Sequence, residues 1–281
     1  MKFRLVAAIV VLFSSVLALQ PAAAANRGLN DWNCQPSAAH PEPVVLVHGL
    51  GANQYVNWAY MGPNIAAAGH CAFTVSYGEG AFWIPGIRPM ADSAVQLSDF
   101  VDRVLAATGA QKVNIVGHSE GTTVPAYYIK YAGGDQKVKQ MIGFAPNYKG
   151  TTLYGLNQLV HGLTSIAPYL GTAFYDGVCA ACLEYLPPSA FLDELNLGGS
   201  AAVPGVQYTN IATRYDHTVI PYTSGFMGVA NARDVVLQDE CGADFSSHIG
   251  MAISPNVLNR VLNALDPQVP KTCVPYWPLG L

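Results

Sequence analysis

The chain is 281 residues long, with 11% charged and 51% hydrophobic residues. An average domain carries about 25% charged residues, so this one is apolar for its size, and its 18 acidic residues outnumber its 14 basic ones. With no basic stripe and no block of like charge, the composition excludes nucleic acid and other polyanions as partners.

At the start, Met1 is followed by Lys2 and Arg4, then by an apolar run from Leu5 to Leu19 that ends at Gln20 and Pro21 ahead of the small residues Ala22 to Ala25. A positive start, a short apolar stretch and a small-residue cleavage region are the anatomy of a secretory signal. A spanning helix needs roughly 20 apolar residues, and this run falls short of that. Residues 1–25 are therefore expected to be a cleaved signal peptide, giving a secreted, extracellular protein without a stable membrane anchor. Loss of Lys2 and Arg4 leaves 12 basic against 18 acidic residues, a net charge of −6. Residues 26–281, expected to be a monomer, are enough to bury a sizeable core as one domain.

Apolar runs then alternate with helical patterns. Strands are expected at Val44 to Val47, Phe73 to Tyr77, Val113 to Val116, Val138 to Phe144, Val206 to Thr213 and Ala232 to Leu237. The clearest helix runs from Met90 to Ala107, with Val95, Leu97, Val101, Val104 and Leu105 mainly on one face and Gly109 placed to end it. Further helices are expected from about Thr122 to Tyr131, stopping at Gly133 and Gly134, and from Pro255 to Leu265. Strands that do not alternate in polarity and are separated by helices imply an α/β fold, a mostly parallel central sheet covered by helices on both faces.

Export gives the six cysteines an oxidising compartment. Sequence leaves their pairing open; the expected pairs are Cys34 with Cys71, Cys179 with Cys182, and Cys241 with Cys273. A CxxC such as Cys179 to Cys182 also fits half of a zinc site or a redox pair, but no second CxxC or HxxxH accompanies it. No metal or organic cofactor is expected.

The stretch "VNIVGHSEGTT", Val113 to Thr123, sets Ser119 between Gly117 and Gly121 just after a predicted strand. It fits the GxSxG nucleophile elbow, where a sharp strand-to-helix turn tolerates only glycine beside a strained, exposed serine. A serine hydroxyl needs a base to take its proton and a carboxylate to orient that base. Chain order in such a fold is serine, acid, histidine. Asp216, in "TRYDHTVIPY" after the fifth predicted strand, and His248, in "CGADFSSHIGM" after the sixth, occupy the required loops. His217 would break that order and His118 reads as support for the elbow, while His40, His48, His70 and His161 have no such placement. Asp176, Asp193, Asp239 and Asp244 read as solvated loop or cap residues.

Acyl transfer also needs donors for an oxyanion. The backbone N–H of Glu120 is one, and the N–H of Leu50 in "VVLVHGLG" is the other, with Gly49 and Gly51 letting that loop bend. The carboxylate of Glu120 must then point away from the oxyanion.

The segments "PVVLVHGLGAN", "VNIVGHSEGTTVPAYYIKYAGG" and "FAPNYKGTTLYGL" resemble the secreted class 2 lipases of bacteria, especially the actinobacterial triacylglycerol lipases and esterases of the α/β hydrolase fold. The resemblance runs from about Pro43 to Gly250. It implies a nucleophile at Ser119, an acid at Asp216, a base at His248 and oxyanion donors at Leu50 and Glu120. Many bacterial relatives carry glutamine at the position of Glu120 and glycine at that of Thr122, so altered polarity near the hole is expected here.

An insertion from Lys149 to Gly205 is longer than a simple crossover needs. Within it Leu156, Leu159, Val160, Leu163, Ile166, Ala167 and Leu170 recur at helical spacing, which fits either a cap over an acyl pocket or lipid surface, or a helix sealing the core. Tyr154, Tyr169, Phe174 and Trp83 are read as core unless they line the pocket. The implied activity is hydrolysis of carboxylic esters, most naturally acylglycerols, with a lipid or other ester as the binding partner. A polyester or cutin depolymerase or a secreted acyltransferase would use the same three residues. A non-catalytic adhesion scaffold would not need them.

Overall fold

Six strands lie side by side and all run in one direction, in the order β2-β1-β3-β4-β5-β6. They are β1 (Val44–Val47), β2 (Ala72–Val75), β3 (Val113–His118), β4 (Val138–Phe144), β5 (Gln207–Ala212) and β6 (Ala232–Val236). The computed structural model describes residues 28–155 and 177–278, with positions 158, 162, 165, 167 and 169 between them. The expected signal peptide, Phe174 and most of the helix expected between Leu156 and Leu170 lie outside the described residues.

Parallel pairing requires a crossover after each strand, and the helices that make those crossovers cover the two faces. In β1 the alternate residues divide between them. Val45 and Val47 pack with α2 (Met90–Thr108) and α3 (Glu120–Tyr131), whereas Val44 and Leu46 pack with α1 (Met61–Ala67) and the C-terminal helix. Both sides of the central strands are therefore buried, which is why their sequences do not alternate. Short helices follow: α4 (Gly134–Lys137), then α5 (Ala180–Glu184) and α6 (Ala190–Leu195) inside the insertion, α7 (Leu237–Glu240) after β6, and α8 (Pro255–Leu265). Ala181, Tyr185, Phe191, Leu192 and Leu195 join the core shared by α2 and α3, so this part of the insertion seals the domain.

Several expected boundaries move. β2 ends before Tyr77, because that side chain turns inward to stack on His48. β3 runs on to His118 and α3 starts at Glu120, which leaves Ser119 alone as the turn; α7 takes Leu237, expected as the end of β6. In α2, Val95 is 57% exposed, since the buried stripe runs through Ala94, Leu97, Val101 and Val104. Gly109 ends the helix in the left-handed conformation, as expected. Trp83, 79% exposed, is not core, and neither are Tyr154 and Tyr169. Trp83 and Phe82 both have φ 57° in the short helical turn Ala81–Trp83, which aims their rings outward.

Three disulfides close the described residues: Cys34–Cys71, Cys179–Cys182 and Cys241–Cys273, the same pairs as expected. The first ties the N-terminal segment to the entry of β2, and the last fastens the C-terminal tail beside α7.

Candidate active site

Ser119 occupies the single-residue turn between β3 and α3 with φ 54° and ψ −121°, a strained conformation that only a tightly determined surrounding holds in place. Two glycines provide that surrounding. A Cβ on Gly117 would lie 1.9 Å from the carbonyl oxygen of Gly121, and one on Gly121 would lie 1.9 Å from that of Val47. The Ser119 N–H donates to Phe144 O at 3.1 Å, and the Thr122 hydroxyl donates to Ser119 O at 2.7 Å. Thr122 is accommodated because Gly143 leaves room: a Cβ there would be 2.8 Å from the Thr122 methyl.

Loops from the same sheet edge bring two partners to the serine. His248 Nε2 lies 2.9 Å from Ser119 Oγ, and His248 Nδ1 lies 2.8 Å from Asp216 Oδ2. The other Asp216 oxygen accepts the N–H groups of Thr218 and Val219 at 2.8 and 2.7 Å, which fixes the carboxylate with one oxygen toward the imidazole. Both side chains are buried, while His217 is exposed. The loop carrying His248 is braced by Asp244, which is fully buried and not a solvated residue as expected. Asp244 accepts from the Ser246 N–H, the Ser254 hydroxyl and the Asn256 amide, all within 2.8 Å.

The loop after β1 reaches over the elbow, so that a Cβ on Gly49 would lie 3.2 Å from Ser119 Cβ. Asn57 Oδ1 accepts the Gly49 N–H at 3.1 Å and also lies 2.9 Å from His118 Nδ1, while His118 Nε2 lies 3.1 Å from the His248 carbonyl. One buried ring thus links this loop to the loop bearing His248. Burial, helped by nearby His248, lowers the pKa of His118 to about 3, so the ring is neutral. His48 is likewise lowered by burial to about 4, against its bond to the Gly49 carbonyl. Its Nε2 accepts the Tyr77 N–H at 3.4 Å, and the Tyr77 hydroxyl donates back to His48 O at 2.6 Å.

Leu50 sits partly exposed at the crest of this loop, and Gly51 N–H anchors it to Pro85 O at 3.0 Å. Glu120 is the first residue of α3, where no carbonyl of the preceding turn takes its N–H. Its side chain is fully buried. Burial first, and the neighbouring Glu184 second, push its carboxyl well above the usual carboxylate range. Asn57, Tyr77, Glu184 and Asp244 escape a reading of the sequence because their roles depend on contacts between distant loops. Only the position of Asn57, a few residues beyond "HGLG", carried a local hint.

Comparisons with known proteins bear on the family and the fold. Residues 41–248 match the family model described as Lipase (class 2). A triacylglycerol lipase of Pseudarthrobacter phenanthrenivorans and one of Burkholderia plantarii are each 35% identical over 95 residues, 32% of this chain; the matches span 28% and 25% of those relatives. Among solved structures, lipase B of Aspergillus fumigatus superposes with a TM-score of 0.61 at 16% identity, over 85% of this chain and 57% of that one. Mature lipase BlEst2 of Bacillus licheniformis gives 0.59 at 16% identity, over 82% and 94%. Such low identities speak for the fold, an α/β hydrolase, while the family model covers most of the sequence. The chain belongs to the class 2 lipase family.

Proposed function

We propose that this protein is a secreted serine hydrolase of carboxylic esters, with acylglycerols as its substrate class, acting through an acyl-enzyme intermediate. The observation that carries the reading is the continuous hydrogen-bonded line from Ser119 through His248 to Asp216. Ser119 Oγ attacks the ester carbonyl as His248 Nε2 takes its proton, and Asp216 holds the imidazole in the required tautomer and stabilises its charged form. The N–H groups of Leu50 and Glu120 receive the oxyanion, a single such donor contributing about 3 kcal/mol in subtilisin. The proton passes to the leaving alcohol, and water then repeats the steps in reverse to free the acid.

The triacylglycerol lipase relatives support acylglycerols as substrate. Secretion is supported by the pattern of residues 1–25 and by the three disulfides, which persist in oxidising compartments. No helix among the described residues is long and apolar enough to cross a membrane. In this reading residues 26–281 form one domain, and the insertion at about 149–205 adds a cap to the part, α5 and α6, that seals the core. The test is labelling by a fluorophosphonate, expected for the wild type and lost in Ser119→Ala, together with hydrolysis of triolein, short-chain p-nitrophenyl esters and solid polyester. Labelling that survives Ser119→Ala would end the proposal, and turnover of polyester alone would move the substrate class.

A further inference from the structure

Glu120 presents two different groups to two different places. Its N–H is at the start of α3, beside Ser119, while its carboxyl turns into the protein, where neither oxygen has a hydrogen-bond partner among the described residues. That carboxyl lies behind the loop after β1. A Cβ on Gly86 would be 2.9 Å from Glu120 Oε2 and 3.2 Å from Leu50 Cα, so the acid and the Leu50 backbone flank one glycine. The groups that act on the carboxyl electrostatically are Glu184 of α5, Tyr185 at the end of α5, and Tyr77 beyond β2; none of these is a cation.

The two carboxyl groups are not equivalent. Glu184 Oε2 accepts the N–H of Met90 at 2.8 Å, the first residue of the 19-residue helix α2. Unpaired amides and the helix dipole favour negative charge there. Glu120 is also in the first turn of a helix, but its oxygens bond to no N–H among the described residues. The dipole alone is small beside the cost of taking an unpaired carboxylate out of water. Burial without a hydrogen bond therefore favours the protonated form of Glu120.

We propose that the Glu120 side chain is held as the neutral acid behind the oxyanion loop, where it serves as a positioning residue for acyl transfer, and that its ionisation switches the site off. A carboxylate at this position would set a buried negative charge beside the Leu50 N–H, opposing the oxyanion those donors must stabilise. Because water is excluded, that repulsion is screened weakly. The proton leaves to solvent and returns on acidification, so the switch is reversible. The inference rests on Ser119 being the nucleophile.

The experiment measures kcat/KM against pH on a soluble p-nitrophenyl ester, corrected for spontaneous hydrolysis, for the wild type, Glu120→Gln and Glu184→Gln. In the wild type a single alkaline ionisation is expected to lower kcat/KM by about tenfold or more. That limb is absent from Glu120→Gln, whatever its activity at neutral pH. In Glu184→Gln it moves to lower pH, because the Glu120 carboxyl loses a like charge. A second measurement does not depend on turnover: infrared spectra of Ser119→Ala at pH 7 show the C=O band of a protonated carboxylic acid, which disappears in Ser119→Ala/Glu120→Gln. An unchanged alkaline limb in Glu120→Gln, a wild type with no such limb below its denaturing pH, or the lack of the protonated band each overturns the inference. A wild type that hydrolyses no ester overturns the hydrolase reading instead, and the band still reports where the proton is.

Discussion

Gly121 and Val47 meet backbone to backbone, so closely that a single methyl group on the glycine would sit 1.9 Å from the valine carbonyl oxygen. The elbow can turn only because this contact carries no side chain. Gly121→Ala is expected to destabilise the fold by about 3 kcal/mol or more, the upper range for forced overpacking. Gly242→Ala is the control, since the nearest atom to its added Cβ is 3.7 Å away. Urea denaturation followed by circular dichroism reads both. Equal midpoints for the two variants would contradict the steric account.

Asp216→Asn keeps an oxygen for the N–H groups of Thr218 and Val219 but presents the imidazole with either a wrong tautomer or a lost bond. The expected loss in kcat is on the order of 10⁴-fold, with stability little changed. A loss below tenfold would show that the carboxylate does not orient the base.

Acid should weaken the fold through two buried rings. The pKa values of His48 and His118 are lowered to about 4 and about 3, so the unfolded chain binds more protons than the folded one below the ordinary histidine value of about 6.5. Their contribution is complete above that value and is lost as pH falls toward the folded values, roughly 3 kcal/mol for His48 and roughly 5 kcal/mol for His118. Glu120 works in the opposite sense. Its raised value makes its contribution complete below the ordinary carboxylate range and lost as pH rises. Guanidinium midpoints at pH 7 and pH 4.5 should therefore differ less in His48→Gln than in the wild type. Glu120→Gln should gain stability at pH 8 and none at pH 4. Parallel pH profiles for all three proteins would contradict both assignments.

Reduction should cost most where the closed loops are long. Cys34–Cys71 and Cys241–Cys273 span separations of 37 and 32 residues, whereas Cys179–Cys182 spans 3. In the chain-entropy model each long loop contributes roughly 4 kcal/mol and the short one about 2. Paired alanine variants compared by calorimetry check the order, and equal melting temperatures for all three would refute it.

Much of this was legible because local and global signals agreed. β1 and β4 fall where their apolar runs begin and end, and α8 where Pro255 starts it behind the Ser254 cap. The placement of Ser119, Asp216 and His248 followed from chain order at one sheet edge. What was not legible depends on contacts at a distance. α1 has too short a pattern to mark itself, Val95 looked apolar but points to solvent, and Asp244 looked like a loop residue until its three donors were in view. The burial of Glu120 was equally hidden, since nothing in "GHSEG" says where its side chain turns.

Because all six strands share one direction, the molecule has a back as well as a mouth. Gln111, Lys139 and Gln207 are exposed at the amino ends of β3, β4 and β5, about 17 to 20 Å of strand away from the chemistry. A tether fixed there would hold the protein on a bead with its opening outward. Anchoring through Gln111→Cys should preserve turnover, whereas anchoring through Tyr215→Cys, next to Asp216, should block it.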